Sequence, residues 1–446
     1  MPDLVDEVTD LLQHLIRNAC VNDGSDESGQ EVRSADVLTS YLEGSGLDLE
    51  VYESSPGRRS IAVRIEGSDP HAPSLMLMGH TDVVPANPDG WRHDPFGGEI
   101  ADGFVWGRGA VDMLNLTTSM AVATRHLANS GFAPRGTLVY LAVADEEAGG
   151  KLGAKWLAET QPDTVRTDYV LTELGGAPLT LDPASGPRLP VAVAEKGAYW
   201  GTVRVRGVAG HGSMPLRTDN ALVTGAEVVR RLAAFRPPPR MTEVWRRFVA
   251  GLDVPGEFAA QLLDVDGLDA ACESLPDVGL ARLIHACTHT TMVPTMMAAG
   301  LKTNIIPDHA VIDFDIRALP GLKEADVLEM IRAALGDLAD VVETEIRTGD
   351  EANESPVDTP LWDVIARHSQ RLVPNSKLVP YILPGATDSR FLRPLGATCY
   401  GFGAYSGRIT FPEYAKMFHG DDERVDPESL RLSTELWMAV ATDLLA

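Results

Sequence analysis

His80 and Asp82 stand two positions apart in LMLMGHTDVV (75–84), a spacing that suits a histidine metal ligand whose second ring nitrogen is held by a carboxylate. Further along come Asp112, the triplet Asp145-Glu146-Glu147, Glu173 and, much later, His419 in FHGDDERV. Imidazole and carboxylate together are zinc chemistry, with cobalt or manganese as substitutes. Carboxylates gathered away from water are costly unless a cation neutralises them. Two divalent ions would balance Asp112, Glu146, Glu147 and Glu173. Taken singly, each piece has a plain structural account: Asp82 as a turn cap, the acidic triplet as a helix start, Glu173 as a loop cap, His419 as a solvated surface residue. Only their joint order points to chemistry.

A sheet has to position these groups. Leu75, Met76, Leu77 and Met78 form the short apolar run of a strand buried on both faces, and it stops at Gly79-His80. GTLVYLAVADEEAGG (136–150) and DYVLTELGG (168–176) are further apolar strands that end in acids. Helices are expected from Leu4 to Ile16, near 35–45, from about 113 to 130 and near 151–159, with strands near 48–53 and 60–66. Strands alternating with helices make a doubly wound, mainly parallel α/β sheet, whose strand ends meet at one edge. PANPDGWRHDPFGGEIADG (85–103) reads as a long functional loop beside that edge.

After about residue 195 the pattern changes. GAYWGTVRVRG alternates like a half-exposed strand, Asn220–Phe235 reads as a helix, and 241–286 looks helical and inserted. THTTMVPTMMAAG, HAVIDFDIRAL, a helix at 323–337 and DVVETEIRTG complete a strand-helix-strand-strand-helix-strand order, that of a ferredoxin-like α+β domain. The expected division is therefore a first domain from 1–196 and 351–446 and an inserted one from 197–350, with a helical insertion near 237–287.

At 446 residues with 44% hydrophobic and 23% charged, the chain can bury a large core in more than one domain. Its formal net charge of −26 repels phosphate backbones and anionic membranes, so nucleic acid and lipid surfaces are excluded as partners. Cys20, Cys272, Cys287 and Cys399 are scattered without a C-x-x-C pair, as in a reduced cytoplasmic protein. MPDLVDEVTDLLQHLIR has no basic start followed by an apolar stretch, so no secretory leader is expected, and no apolar run is long enough to span a membrane.

GHTDVVPA, WRHDPFGGEIADGFVWGRGAVDM, ADEEAGG, GHGSMP, TNIIPDHAVIDFDIRALPG, GATDSRF and HGDDERV occur in this order. Together they resemble the dinuclear-zinc metallopeptidases and deacylases, which include aminoacylase, glutamate carboxypeptidase, acetylornithine deacetylase and succinyl-diaminopimelate desuccinylase. The resemblance covers nearly the whole chain. It implies that His80, Asp112 and Glu173 hold one zinc and that Asp112, Glu147 and His419 hold the other, Asp112 bridging. It implies that Glu146 is the general base and that Asp82 supports His80. The inserted domain becomes a lid and dimerisation domain, in which His211 reaches a partner's site as an oxyanion donor, a role worth roughly 3–4 kcal/mol. Asn304 resembles an oxyanion and substrate contact, Arg317 a clamp for a substrate carboxylate, and Gly385, Thr387 and Asp388 a substrate-side loop. Arg390 reads equally as a second carboxylate contact or a surface arginine.

Two features depart from the pattern. Asp112-Met113 continues as Leu114-Asn115 where the family usually has Lys-Gly, which leaves the ligands intact but the subfamily open. The last ligand is Glu173 and not aspartate, which in the family goes with carboxypeptidases and N-deacylases. The resemblance thus implies a zinc-dependent homodimeric hydrolase of an amide bond beside a free carboxylate, acting on N-acyl amino acids or short peptides. Two other readings stay open: a dedicated acetylornithine- or succinyl-diaminopimelate-type biosynthetic deacylase, and a non-catalytic protein that binds metal or amino acids.

Overall fold

The computed structural model describes residues 3–181 and 183–446. Met1 and Pro2, at the head of the segment read as carrying no leader, lie outside them.

Leu75–His80 is the central strand, and its alternate side chains explain why the sheet is covered twice. Leu75 and Leu77 pack into a core with the helices Leu4–Asn18, Leu114–Asn129 and Pro427–Leu444, while Met76 and Met78 pack on the opposite face with Leu157 and Leu392. A strand with period-2 side chains buried on both sides has no polar face, as its sequence shows.

The strand order across the large sheet is Leu49–Ser55, Arg58–Ile65, Leu138–Val143, Leu75–His80, Tyr169–Thr172, Thr398–Gly401, Arg188–Glu195 and Asn353–Glu354, with Lys377–Leu383 pairing on Arg188–Glu195. The middle strands, from Leu138–Val143 to Thr398–Gly401, run parallel. Antiparallel pairing is added towards the edges, where Leu49–Ser55 and Arg58–Ile65 form a hairpin on Leu138–Val143. The long segment at 85–103 is not all loop. Glu99–Ala101 pairs with Phe104–Trp106, which also pairs with Arg424–Val425, so a small sheet ties it to the stretch after His419.

A separate sheet orders Thr291–Ala299, His309–Ala318, Gly197–Arg206 and Val342–Asp350, all antiparallel, backed by the helices Ala221–Ala234 and Glu324–Leu335. That order and connectivity are ferredoxin-like. The helical segment between them was expected to enlarge this second body. It does not. Trp245, Phe248, Leu252, Ile284 and Cys287 bury themselves in the large core beside Val379 and Ile382, and buried Arg188 donates to the Gly251 carbonyl at 2.7 Å. The amphipathic helix Glu243–Leu252 lays its apolar face on the large core beside Val379 and Ile382. No helix among the described residues is long and apolar enough to cross a membrane.

Candidate metal centre

His80 closes the central strand and is buried; its Nε2 lies 3.3 Å from Asp112 Oδ1 and 3.4 Å from Glu173 Oε2. His419 Nε2 lies 3.4 Å from Asp112 Oδ2 and 3.1 Å from Glu147 Oε2. Asp112 therefore turns one oxygen to each histidine. Donor atoms of His80, Glu146 and Glu173 also fall within 4.8 Å of one another, as do those of His80, Asp112 and Glu147. Glu173 follows directly on the strand Tyr169–Thr172, so parallel pairing alone carries it to His80's edge.

The acidic triplet divides its labour by backbone geometry. Asp145 sits at φ 71° and Glu146–Ala148 form one tight turn. Asp145 turns inward, accepting from Leu152 N at 2.8 Å and Asn22 Nδ2 at 3.2 Å, which leaves Glu146 and Glu147 facing the site. His419, at φ 55°, and Leu174, at φ 72°, also adopt left-handed backbone, which non-glycine residues hold only when the surroundings impose it.

Asp82 supports His80 by a route other than the one expected. His80 Nδ1 donates to the Asp82 main-chain carbonyl at 2.9 Å, whereas the nearest carboxylate oxygen stands at 3.6 Å. That carboxylate is occupied elsewhere. It accepts from the backbone N–H of Glu146 at 3.2 Å and of Glu147 at 3.0 Å, and from Asn22 Nδ2 at 2.9 Å. The N–H groups that open a turn need an acceptor, and Asp82 supplies it.

Several residues behind the site carried no assigned role in the sequence reading. Buried Arg58 pairs with Glu31 at 2.8 Å and approaches Asp145 at 3.6 Å. Glu423, fully buried, accepts from the backbone N–H of Val111 at 2.7 Å, Asp112 at 2.8 Å and Gly109 at 3.0 Å, and pairs with Arg108 at 3.0 Å. It stands four positions after His419, so one short segment supplies a donor and clamps the loop that supplies Asp112. Its presence in HGDDERV was the available signal. Asn22 and Arg58 had none.

The charges are held at a cost. Burial raises Glu146 to about 7 and Glu147 to about 8, Asp112's charge adding to the latter, and lifts Glu173 well above the carboxylate range. Against burial, hydrogen bonds from His419 and His80 hold Asp112 low, and Asp112 and Glu147 raise His419 to about 10. Glu147 Oε1 is buried with no hydrogen-bond partner. Crowded buried carboxylates, two imidazoles and an unpartnered buried oxygen are a donor set that fits divalent metal.

In the loop expected on the substrate side, Thr387 N donates to Glu195 at 2.5 Å, and Thr387 shares a small cavity with Glu173. Asp388 is buried with both oxygens unpartnered, and burial followed by Glu146's charge lifts its pKa well above the usual range. Gly385 lies on the partly buried loop just before them. Arg390 is no surface arginine: its side chain is 8% exposed and packs on Phe391, and the charges of Glu146 and Asp388 hold it protonated against burial. Asn115 is buried and reaches Tyr405, while Leu114 is core. His211, Asn304 and Arg317 are elsewhere. His211 is exposed and meets Ser213 at 2.7 Å, the Asn304 carbonyl accepts from Gly212, and Arg317 pairs with Asp315 at 2.8 Å. Among the described residues, no hydrogen bond or ion pair joins these three to the metal-centre residues.

The description "Peptidase family M20/M25/M40" matches residues 76–443. The chain belongs to that family. As an M20 hydrolase it acts on amide bonds. It is similar to the N-fatty-acyl-amino acid synthase/hydrolase PM20D1 of Xenopus tropicalis, 27% identical over 387 residues, covering 86% of this chain and 74% of the relative. Human aminoacylase-1 is 25% identical over 386 residues, covering 85% and 82%. In fold, this M20 chain superposes on the M20 family metallo-carboxypeptidase Sso-CP2 from Sulfolobus solfataricus with a TM-score of 0.74 at 17% identity, covering 100% and 99% of the two chains.

Proposed function

We propose that this M20 chain is a two-zinc hydrolase that cleaves the amide bond beside a free carboxylate, as an N-acyl amino acid deacylase or a carboxypeptidase-type peptidase. The observation that carries the reading is Asp112, whose oxygens face His80 and Glu173 on one side and His419 and Glu147 on the other. His80, Asp112 and Glu173 would hold one ion, and Asp112, Glu147 and His419 the other. Bound there, the metal pair would supply Lewis-acid polarisation of the carbonyl and a water of lowered pKa, toward about 7. The similarity to PM20D1 and aminoacylase-1, both named for acyl amino acids, supports the substrate class.

The rest of the chemistry falls to the protein. Glu146, one residue before Glu147 and assigned to neither ion although its donor atom lies within 4.8 Å of those of His80 and Glu173, accepts the attacking water's proton at a carboxylate oxygen and returns it to the leaving nitrogen. Asp82 and Asn22 hold the turn that aims it. Arg317 clamps the substrate carboxylate and Asn304 the carbonyl, with Gly385, Thr387 and Asp388 bordering the bound chain. His211 donates to the developing oxyanion in the site of a second copy. The small sheet leaves Thr291–Ala299 as an edge strand with Val293, Met296 and Met297 exposed, which supports a homodimer. We assign residues 1–196 and 351–446 to the catalytic domain, with the helical segment near 237–287 packed on it, and the rest of 197–350 to the lid. Four buried free thiols support a reducing, cytoplasmic setting.

Elemental analysis paired with a panel of N-acetyl, N-succinyl and dipeptide substrates, before and after chelation, tests this. About two zinc ions per chain and chelator-sensitive turnover are the expected result. Metal without turnover on any substrate defeats the reading.

A further inference from the structure

Asp269, His285 and His289 bring a carboxylate oxygen and two imidazole nitrogens within 4.8 Å of one another, outside the cluster around Asp112 and sharing no residue with it. His285 lies on the helix Val278–Thr288 and His289 is its C-cap, so residues four apart place both rings on one face. That is the spacing by which a helical histidine pair shares one ion. The rings lie 4.1 Å apart and within 7° of parallel. Asp269 comes from the preceding helix, Leu268–Ser274, and its Oδ1 stands 3.0 Å from His289 Nε2.

The protons can be placed. Thr288 Oγ1 donates to the Ile284 carbonyl at 2.6 Å, so towards His289 Nδ1, 3.0 Å away, it can only accept. The His285 carbonyl, 3.1 Å from the same nitrogen, is an acceptor too. Nδ1 therefore carries the hydrogen, and in a neutral ring Nε2 presents a lone pair. His289 is 2% exposed, and its Nε2 makes no hydrogen bond although a carboxylate oxygen faces it. Two lone pairs in that position repel each other unless a cation stands between them.

The surroundings suit an ion with a structural task. Lys196 Nζ donates to the carbonyls of Ala286 at 3.1 Å and His289 at 2.7 Å, capping the helix end beneath the cluster. Lys196 separates Glu195, the last residue of a large-sheet strand, from Gly197, the first of a small-sheet strand. His285 also lines an open cleft of about 400 Å³ with Phe235, Pro237, Thr291 and Met292, which gives an ion access from solvent. We propose that Asp269, His285 and His289 form a separate site for a divalent transition ion of the zinc class, which staples the two helices together where the chain crosses between the sheets. Two imidazoles and one carboxylate select zinc, cobalt, nickel or copper over magnesium and calcium, with water completing the coordination.

Full-length protein stripped with chelator and then titrated with zinc alone gives the test, with bound metal counted by elemental analysis. Asp269→Asn and His285→Ala are expected to bind about one ion fewer per chain than wild type. Both residues are at least partly exposed and circular dichroism checks the fold, while buried His289 is left in place. Asp112→Asn should keep an ion that Asp112→Asn/Asp269→Asn loses, which separates this site from the metal centre whatever that centre binds. If instead His289 is protonated and simply paired with Asp269, zinc counts will be the same in wild type, Asp269→Asn and His285→Ala. That outcome overturns the site.

Discussion

His80 and His211 come from similar glycine-flanked sequence and meet opposite fates. His80 is 1% exposed, ringed by Asp112, Glu173 and the Asp82 carbonyl, whereas the His211 side chain is exposed and its ring hydrogen-bonds its neighbour Ser213. The contrast extends to whole regions. At the large sheet's edge Asp112 and the turn of Glu146 and Glu147 are held by buried partners from distant parts of the chain: Glu423 under Asp112, Asn22 and Asp82 under Glu146 and Glu147. On the small sheet, Arg317 and Asn304 find partners only within their own sheet and adjoining loops. One region is held in place by partners within the fold. On the proposed reading, the other presents groups that meet substrate, or the site of a second copy, on closure.

The sharpest way to break this comparison is at Glu146. If it is the base, Glu146→Gln should retain bound metal and lose roughly 10²–10⁴-fold in kcat, the usual weight of a positioned proton acceptor. Wild-type turnover across the substrate panel would remove Glu146 from the chemistry. His211→Ala comes next, with an expected fall of roughly 10²–10³-fold in kcat and little change in metal content. Because His211 would act across a dimer, mixing His211→Ala with Glu146→Gln subunits should restore activity that neither variant has alone. A mixture as inactive as its parts places His211 in its own chain's site or in none.

Glu423 tests the other half of the contrast. Glu423→Gln keeps the shape but weakens its hold on the N–H groups of Val111 and Asp112, so zinc affinity should fall roughly 10–100-fold, the range seen when groups supporting a metal ligand are removed. Unchanged affinity would mean the Asp112 loop is rigid without its clamp. Metal titration of refolded protein reads this directly.

What could be read from the sequence divides along the same line. The clustering of the candidate ligands was legible because apolar runs stop at His80, at Asp145 and at Glu173, and parallel strands must bring such ends together. The ferredoxin-like order was legible from alternation in Gly197–Arg206 and His309–Ala318. The strand Arg188–Glu195 was not: Pro190 interrupts a run that otherwise reads as sheet, and its neighbour Lys377–Leu383 carries Pro380 in turn. Asn22, Glu31 and Arg58 were invisible because their roles come from long-range packing and follow no periodicity. Asp82's use of its carbonyl was hidden for the same reason, since a competing turn claimed its carboxylate. The docking of the helical segment depended on where its apolar face met a partner, a property of the assembled sheet.

The smallest expected effect is a control on whether every buried acid network in the large core matters to the site. Glu7, on the first helix, accepts from Tyr41 Oη at 2.6 Å, His126 Nε2 at 2.7 Å and Arg125 at 3.3 Å, far in sequence from any proposed ligand. Burial pushes its pKa up, but Tyr41, His126 and Arg125 prevail and leave it below the ordinary value of 4.5. A carboxyl lowered by folding adds stability that is present above its unfolded pKa and is lost as the pH falls through the folded one. Glu7→Gln should therefore cost about 1 kcal/mol near neutrality, the worth of a hydrogen bond or so. The difference from wild type should shrink as the pH drops below the ordinary carboxylate value. Urea unfolding at several pH values measures that convergence. Zinc affinity should stay at the wild-type value, because nothing in this network touches Asp112, Glu147 or Glu173. A drop in affinity comparable to that of Glu423→Gln would show that the large core transmits any lost ion pair to the metal centre, and the distinction between clamp and scaffold would fall.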